Sequence, residues 1–320
     1  MSWMIYGAGF VLDLLLGDPQ HWPHPVRWIG GLINRVQTGL RRVCRSQPAL
    51  YLAGGVLWLV VVGSSWLLTW ALLAVLQAIH PWLGTLAAIW CAYTILAARC
   101  LRDAAMAVYD ALASGSLAES RKQLSWIVGR DTSQLSAEQI TRGVVETVAE
   151  NSVDGVIAPL FWLFVGGVPC AMAYKAINTL DSMVGYKNEK YRAIGCVSAR
   201  MDDLANLIPA RLGWLLLSAA AGLLGMPARQ ALRLGWRDRY QHKSPNSGWS
   251  EATVAGALGI RLGGPNTYFG ERVDKPWMGD EQRPIEQEDI RRTIRLMYVA
   301  STLALVLFAL VSWLVKDALV

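Results

Sequence analysis

Charged residues are scarce in this chain, and their scarcity indicates the class of protein. Only 17% of its 320 residues are charged, whereas 53% are hydrophobic. A soluble globular domain carries roughly 25% charged residues, so this composition indicates an integral membrane protein. The apolar runs extend from one end of the chain to the other, and we therefore predict a single membrane domain over residues 1–320.

The chain also lacks the motifs of several common kinds of site. Its five cysteines are scattered and form no C-x-x-C pair, which argues against a disulfide framework or a zinc site. No G-x-x-x-x-G-K-[ST] nucleotide loop is present. The net charge of +6 comes mostly from basic residues beside apolar runs, so membrane topology explains it and we exclude nucleic acid as a partner.

Several apolar runs are long enough to cross a bilayer. Residues 52–79 and 83–98 predict a helical hairpin, because about 20 helical residues span a hydrocarbon core of about 30 Å. Residues 204–225 and 296–315 predict further spans. Glycine and proline interrupt residues 156–173, which predicts a broken or re-entrant helix. We therefore expect an all-α polytopic membrane protein with about four to six membrane helices.

Three polar segments separate these runs, at about residues 17–50, 101–155 and 226–295. We predict helical loops on the cytoplasmic face, because positive residues concentrate on that side of membrane proteins. Residues 244–264 predict a turn, a short helix and a glycine-rich loop, which either approaches phosphate through backbone N–H groups or allows tight packing. The basic residues that indicate the orientation are Arg27, Arg35, Arg41, Arg42, Arg45, Arg99, Arg102, Arg121, Lys122 and Arg130.

The stretch from Tyr174 to Leu212 places charge between two apolar runs. Charge in such a position is tolerated mainly where it is paired, binds a ligand or lines a wet cavity. Asp202, Asp203 and Asn206 fall within one helical turn, and Asp181 lies in the same stretch. Because Mg²⁺ prefers oxygen ligands, we predict the three aspartates as metal ligands. The alternative is a set of interhelical ion pairs in a transporter or scaffold.

A second group of carboxylates follows a predicted capping box at Ser136 and Gln139. Glu146, Glu150 and Asp154 recur every four residues, where like charges on a helix repel by about 0.2–0.5 kcal/mol per pair. A divalent cation or a basic partner would remove that penalty, so Glu150 and Asp154 are further candidate metal ligands. A solvated acidic face is the alternative.

Two histidines lie in the proline-rich segment from Gly17 to Trp28. Its three prolines restrict the backbone, so His21 and His24 are predicted on a stiff, non-helical loop. Such a loop suits the presentation of side chains to a ligand. An interfacial turn anchored by tryptophans is the alternative.

Five segments stand out by their length and unusual composition. In chain order they are DPQHWPHPVRWIG, ENSVDGVIAPLFW, YKAINTLDSMVGYKNEKY, SARMDDLANLIPARL and SPNSGWSEATVAGALGIRLGG. Together, and in this order, they resemble the adenosylcobinamide-phosphate synthase family of cobalamin biosynthesis. The resemblance covers nearly the whole chain, and motifs of this length make it specific.

The resemblance implies a multi-pass enzyme of the cell inner membrane whose active site faces the cytoplasm. Such an enzyme is a carbon–nitrogen ligase that joins adenosylcobyric acid to aminopropanol phosphate, or to aminopropanol, by an amide bond. ATP is the implied energy source, and the chemistry of activation adds Mg²⁺. The lipid bilayer, other cobalamin-assembly enzymes and further copies of the chain are the expected partners.

Chemistry and motif position give the remaining residues their predicted roles. His21 or His24 would deprotonate the incoming amine, because imidazole titrates near neutral pH. The residues predicted to bind the substrates are Lys187, Lys190, Arg200, Asn246 and Glu251. Two alternatives remain open at this stage. One is a transporter or binding protein for a bulky anion, and the other is an intramembrane Mg²⁺-dependent enzyme similar to prenyltransferases.

Overall fold

Helices dominate the fold in this computed structural model, which describes residues 2–19, 21–268 and 270–318. The α-helices of these residues are α1 Ser2–Leu16, α2 Pro25–Val43, α3 Gln47–Ile79, α4 Pro81–Ile95, α5 Ala98–Ala113, α6 Leu117–Ser125, α7 Ala137–Ser152, α8 Ala158–Val184, α9 Cys196–Ala205, α10 Leu207–Leu223, α11 Ala228–Asp238, α12 Ser247–Leu258 and α13 Glu288–Ala318. A π-helical turn, Val153–Ile157, joins α7 to α8. The short strands are β1 Leu262–Gly263, β2 Asn266–Tyr268, β3 Glu271–Val273 and β4 Trp277–Met278, which pair antiparallel as β1 with β4 and β2 with β3.

Four stretches of helix in the described residues are long and apolar enough to cross a membrane. They are Gln47–Ile79, Pro81–Ala113, Ala137–Val184 and Glu288–Val315. Together, α9 and α10 pass the same test but bend by 46°, as expected of a broken span or a re-entrant loop. The protein is therefore an all-α polytopic membrane protein, which confirms the fold class predicted from composition.

The interruption predicted within residues 156–173 is present inside α8. Gly167 has φ 73° and ψ −173°, outside the helical region, and Pro169 follows it. Proline cannot donate a backbone hydrogen bond, and glycine readily adopts a positive φ that strains other residues. Two helical segments therefore meet at a kink at Gly167, and the second segment continues to Val184.

The chain forms two compact units. Unit 1 comprises the described residues up to Ala97, then Ala158–Asn206, and the described residues from Leu307 onward. Its core forms where α3 packs against α4 and α8, and where α1 packs against α4. The other face of α3 exposes leucine and tryptophan side chains, as expected of a helix in contact with lipid.

Unit 2 comprises Ala98–Ile157 and Leu207–Val306. Its central helix is α12, whose twelve residues are all buried. This helix packs against α7, α10 and α11. Because a fully buried helix must satisfy its polar side chains inside the protein, the acidic residue that α12 carries, Glu251, requires a polar interior.

Candidate functional site

Unit 2 contains a polar cavity of about 150 Å³, here called the unit 2 cavity. The ionisable residues that line it are Arg130, Glu146, Glu150, His242, Glu251 and Lys275. Two of the carboxylates come from α7 and the third from α12, while the other groups come from loops. Packing of α12 against α7 therefore brings together acidic residues that are distant in the sequence.

Glu146 is hydrogen-bonded through both carboxylate oxygens. Its Oε2 pairs with the Arg130 guanidinium, and its Oε1 accepts a 2.7 Å bond from the backbone N–H of Gly263. Arg130 also donates to Asn266 Oδ1 at 2.8 Å. A basic partner thus compensates this end of the acidic stripe. Because the Gly263 amide in the glycine-rich loop is used by a carboxylate, the structure favours the packing interpretation of residues 244–264.

The other two residues of the stripe have different environments. Glu150 Oε1 accepts a 2.7 Å hydrogen bond from the Ser247 hydroxyl, at the start of α12. Asp154 is half-buried in the π-helical turn. Glu146 and Glu150 both line the unit 2 cavity, as expected for residues one helical turn apart, whereas Asp154 lies beyond the end of α7.

Glu251 and His242 face each other in the cavity. The His242 Nε2 lies 3.8 Å from Glu251 Oε1, and the Glu251 side chain is only 5% exposed. The backbone N–H of Ser244 donates to His242 Nδ1 at 3.0 Å. Since Nδ1 accepts a hydrogen bond, a neutral His242 carries its proton on Nε2, on the side of Glu251.

Both of these groups are shifted away from their charged forms. Burial raises the pKa of Glu251 well above its usual range, and the nearby Glu146 and Glu150 carboxylates raise it further. Burial likewise lowers the pKa of His242, although Glu150 opposes that shift. Perturbed pKa values in a cavity are typical of functional sites. Both shifts favour the neutral forms of the two groups over a salt bridge.

The three predicted aspartates of unit 1 lie close together. Asp202 is 8% exposed on α9, and its two oxygens accept hydrogen bonds from Asn178 Nδ2 at 3.4 Å and Asn206 Nδ2 at 3.1 Å. The carboxylates of Asp181 and Asp203 are near enough to repel it electrostatically. Repulsion among neighbouring carboxylates is relieved by a bound cation or by protonation of one of them.

The oxygen donors of this aspartate group fit the chemistry of Mg²⁺, which takes one or two carboxylates and retains waters and substrate phosphate. Within residues 2–19, 21–268 and 270–318, no group of three or more His, Cys, Asp or Glu side chains is arranged to hold a metal ion by itself. The metal roles of Asp181, Asp202 and Asp203, and those of Glu150 and Asp154, stay predictions.

His24 ends the proline-rich loop as the N-cap residue of α2 and is 9% exposed. Its Nε2 lies 3.6 Å from Asp18 Oδ1, which also accepts a 3.1 Å hydrogen bond from Arg27. Burial lowers the pKa of His24, and Asp18 opposes the shift. The imidazole is therefore neutral around pH 7, the state in which it accepts a proton. By contrast, His21 is exposed.

The basic residues predicted to bind phosphate are accessible. Lys187, Lys190 and Arg200 are all exposed in unit 1. Lys187 and Lys190 lie between α8 and α9, where Lys190 Nζ is 4.9 Å from the centre of the Tyr191 ring and the Lys190 carbonyl accepts a hydrogen bond from Arg41. Exposed cations in a connecting segment can contact an anionic substrate without first breaking a buried pair.

Asn246 was predicted as a site residue, whereas three residues of the cavity were not. Asn246 is 6% exposed, precedes α12 and accepts a 2.7 Å hydrogen bond from Arg211 at its Oδ1. Sequence reasoning missed Arg130, His242 and Lys275 as site residues. A signal existed only for His242, which lies two residues before the SPNSGW motif. The sequence indicates Arg130 only as one of the basic residues that mark the cytoplasmic face.

Comparison with known proteins adds independent evidence. The family model described as CobD/Cbib protein matches residues 6–297. The chain is 68% identical over 310 residues to the cobalamin biosynthesis protein CobD of Photorhabdus laumondii, covering 97% of each chain. It is 64% identical over 318 residues to CobD of Citrobacter koseri, covering 99% of each, and 66% identical over 308 residues to CbiB of Salmonella arizonae, covering 96% of each. No solved structure matches it significantly.

The fold and the sites define a helical, polytopic membrane protein with buried ionisable groups. More specifically, the chain belongs to the CobD/CbiB family of cobalamin biosynthesis proteins, because the family model and full-length relatives both match it. The resemblance carried by the five sequence motifs is thereby confirmed at the level of the family.

Proposed function

We propose that this protein joins adenosylcobyric acid to aminopropanol phosphate, or to aminopropanol, and so acts as an adenosylcobinamide-phosphate synthase. The observation that carries the proposal is the match to the CobD/CbiB family over residues 6–297. Its relatives at 64–68% identity are named cobalamin biosynthesis proteins. An enzyme of this class is a ligase that forms a carbon–nitrogen bond.

The proposed reaction condenses a corrinoid carboxylate with a primary ammonium group. A carboxylate is a poor electrophile and an ammonium ion has no lone pair, so the substrates do not react readily in water. Transfer of the terminal phosphoryl group of ATP to the carboxylate gives an acyl phosphate and ADP. Attack by the deprotonated amine then forms the amide, releases inorganic phosphate and leaves one proton for a base.

The chain supplies groups suited to these steps. Lys187, Lys190 and Arg200 are exposed cations that would bind phosphate oxygens. His24, neutral around pH 7, would accept the proton of the amine, with His21 as the second candidate.

Asp181, Asp202 and Asp203 would hold Mg²⁺, which neutralises phosphate charge when bound. Glu150 and Asp154 are further proposed ligands, and Asn246 and Glu251 are proposed substrate contacts. In this proposal the protein lies in the cell inner membrane, with its active site open to the cytoplasm, where other cobalamin-assembly enzymes would supply and remove corrinoids.

Incubation of the purified protein with adenosylcobyric acid, aminopropanol phosphate or aminopropanol, ATP and Mg²⁺ tests the proposal. Mass analysis should show the corrinoid gaining one amine and losing one water. Omission of Mg²⁺ and the Asp202→Asn, Asp203→Asn double variant should each abolish the product. Unchanged corrinoid with the intact protein would overturn the assignment, and a fully active double variant would overturn the metal role.

A further inference from the structure

The size of the unit 2 cavity restricts its ligand. The cavity volume is about 150 Å³. An engineered cavity of similar volume in another protein binds benzene, which has about six non-hydrogen atoms. A corrinoid or an adenine nucleotide is several times larger. The cavity therefore holds a small molecule, or the small end of a larger one.

The cavity is lined by more carboxyl groups than lysine and arginine side chains. Glu146 is already paired with Arg130. The cavity is lined by two further carboxylates, Glu150 and Glu251, but by one further lysine or arginine, Lys275. The Lys275 Nζ donates a 2.6 Å hydrogen bond to a tyrosine hydroxyl. A buried carboxyl group without a basic partner favours its neutral form, and a ligand with a positive charge would supply the missing partner for its ionised form.

Glu251 is the group that most requires a ligand. Its side chain is 5% exposed, and the facing His242 Nε2 is 3.8 Å away, which is beyond hydrogen-bond length. The described residues form no hydrogen bond with its carboxyl group, whereas Glu146 and Glu150 both accept hydrogen bonds. Buried polar groups are almost always hydrogen-bonded, because leaving one unsatisfied is costly. Its carboxyl group therefore has acceptor capacity left for a donor in the cavity.

We propose that the unit 2 cavity binds the primary ammonium group of a small amino alcohol, with Glu150 and Glu251 as its counter-ions. An ammonium group has three N–H donors, which match two carboxylates and a third acceptor on the wall, such as the Asn151 amide oxygen. This inference rests on the proposed function, in which such an amine is a substrate.

Neighbouring side chains position both carboxylates. The Ser247 hydroxyl donates to Glu150 and leaves its second oxygen available to the cavity. The Ser244 amide fixes the His242 tautomer, so the Nε2–H of His242 is on the side of Glu251. His242 is therefore a positioning residue. It would donate to the Glu251 carboxylate when the ammonium group is bound.

A divalent metal fits this cavity less well than an ammonium group, so this inference assigns Glu150 to the ammonium group in place of the Mg²⁺ role proposed above. Arg130 and Lys275 line the same space and would repel a double positive charge more strongly than a single one. Mg²⁺ also requires nearly octahedral oxygen ligands, and the described part of the chain contains no three-residue cluster of that kind.

Isothermal calorimetry on the purified protein tests the inference without corrinoid or ATP. The probes are 1-amino-2-propanol, its phosphate ester, and 1,2-propanediol, in which a hydroxyl replaces the amine. The variants are Glu150→Gln and Glu251→Gln. The matched control is Glu281→Gln, which removes an exposed carboxylate of unit 2 that pairs with Arg261 outside the cavity.

At least one of the two amines should bind the intact protein and the Glu281→Gln variant, and the diol should bind neither. Each cavity variant should weaken amine binding roughly tenfold or more, because a buried ion pair loses one partner. Comparison of the two amines shows whether the phosphate adds affinity.

Several results would overturn the inference. The inference is wrong if the diol binds as tightly as the amines, or if neither amine binds. It is also wrong if the amines bind equally well to the intact protein and to both cavity variants. Binding of Mg²⁺ that depends on Glu150 and excludes the amine would assign the cavity to a metal instead. Binding of the three probes to the intact protein tests the inference even if a variant fails to fold.

Failure of the inference is distinguishable from failure of the proposed function. Amide product formed with an unchanged KM for the amine in both cavity variants would reject the cavity assignment and leave the ligase assignment in place. Amine binding that depends on Glu251, in a protein that forms no amide from any corrinoid, would reject the ligase and keep the ammonium site.

Discussion

At the residue scale, buried charge in unit 2 is compensated by specific partners. Arg130 and Glu146 are 9% and 7% exposed at their side chains, and each has a second hydrogen-bonding partner. Breaking a buried ion pair costs more than removing both charges, because one charge is left uncompensated. Stability here therefore depends on the pair and less on either residue alone.

Arg130→Met should lower the melting temperature of the purified protein by about 5–10 °C, since a buried carboxylate loses its partner. The Arg130→Met, Glu146→Gln double variant should recover much of that loss. Glutamine is neutral and its oxygen can still accept the hydrogen bond of the Gly263 amide. Thermal unfolding in detergent measures both effects.

The control for these two variants is Arg261→Met. It removes an exposed ion pair with Glu281 and should change the melting temperature by less than about 2 °C. A double variant that is less stable than Arg130→Met would show that the Arg130–Glu146 pair is not the source of the effect.

Substitution of single residues also tests whether His21 or His24 is the general base. Replacing both His21 and His24 with alanine should reduce kcat by about 10²–10⁴-fold if either is the general base. Because burial lowers the pKa of His24, its neutral form persists below the usual titration range. Activity should therefore fall only as the pH drops below about 6.5, when the imidazole gains a proton.

A pH–rate profile for each single variant identifies the base. Loss of the acidic limb in His24→Gln, with its retention in His21→Gln, would assign the role to His24. Normal turnover in the double alanine variant contradicts a base role for both.

At the scale of elements, the break in α8 depends on one backbone conformation. Gly167 has a positive φ of 73°, and a Cβ added there would meet only ordinary contacts with Tyr6 and Pro169. Gly167→Ala should therefore destabilise the protein by about 1–3 kcal/mol through conformational strain and not through a clash. The expected fall in melting temperature is about 2–6 °C.

The same glycine-to-alanine substitution in a regular helix should raise the stability of the protein instead of lowering it. Gly55 lies inside α3, and a Cβ there would meet no atom within 4 Å. Gly55→Ala should stabilise the helix by about 0.5–1 kcal/mol, because alanine loses less conformational entropy than glycine. Equal effects of the two substitutions would show that the positive φ of Gly167 does not constrain α8.

At the scale of the whole molecule, membrane topology decides whether the proposed chemistry can occur in one compartment. The proposal requires Lys187 and the loop at about residues 226–295 to be accessible from the cytoplasm. The break in α8 and the 46° bend between α9 and α10 are the features that would allow the segment between α8 and α9 to reach that side.

Cysteine labelling in a variant without the five native cysteines tests this requirement. Lys187→Cys should react with a membrane-impermeant maleimide only in vesicles that expose the cytoplasmic face. Lys243→Cys, in the loop predicted to be cytoplasmic, is the matched control. Labelling of position 187 from the periplasmic side alone would exclude a single cytoplasmic active site.

The sequence by itself determined the class of protein, the approximate spans, the break near Gly167 and the family. Hydrophobicity adds up locally along a chain, and glycine and proline act on their own backbone, so these features need no knowledge of distant contacts. The capping box at Ser136 and Gln139 is local in the same way, and the structure confirms it.

Only the tertiary structure decided how the acidic residues are used. The partners of Glu146, Glu150 and Glu251 come from separate segments, and no spacing in the sequence indicates that Arg130, Ser247 or His242 would meet them. Of the three regularly spaced carboxylates, Glu146 and Glu150 lie in α7, and Asp154 lies in the π-helical turn that follows it. Burial then set their pKa values, because desolvation depends on the packed environment and not on the residue type.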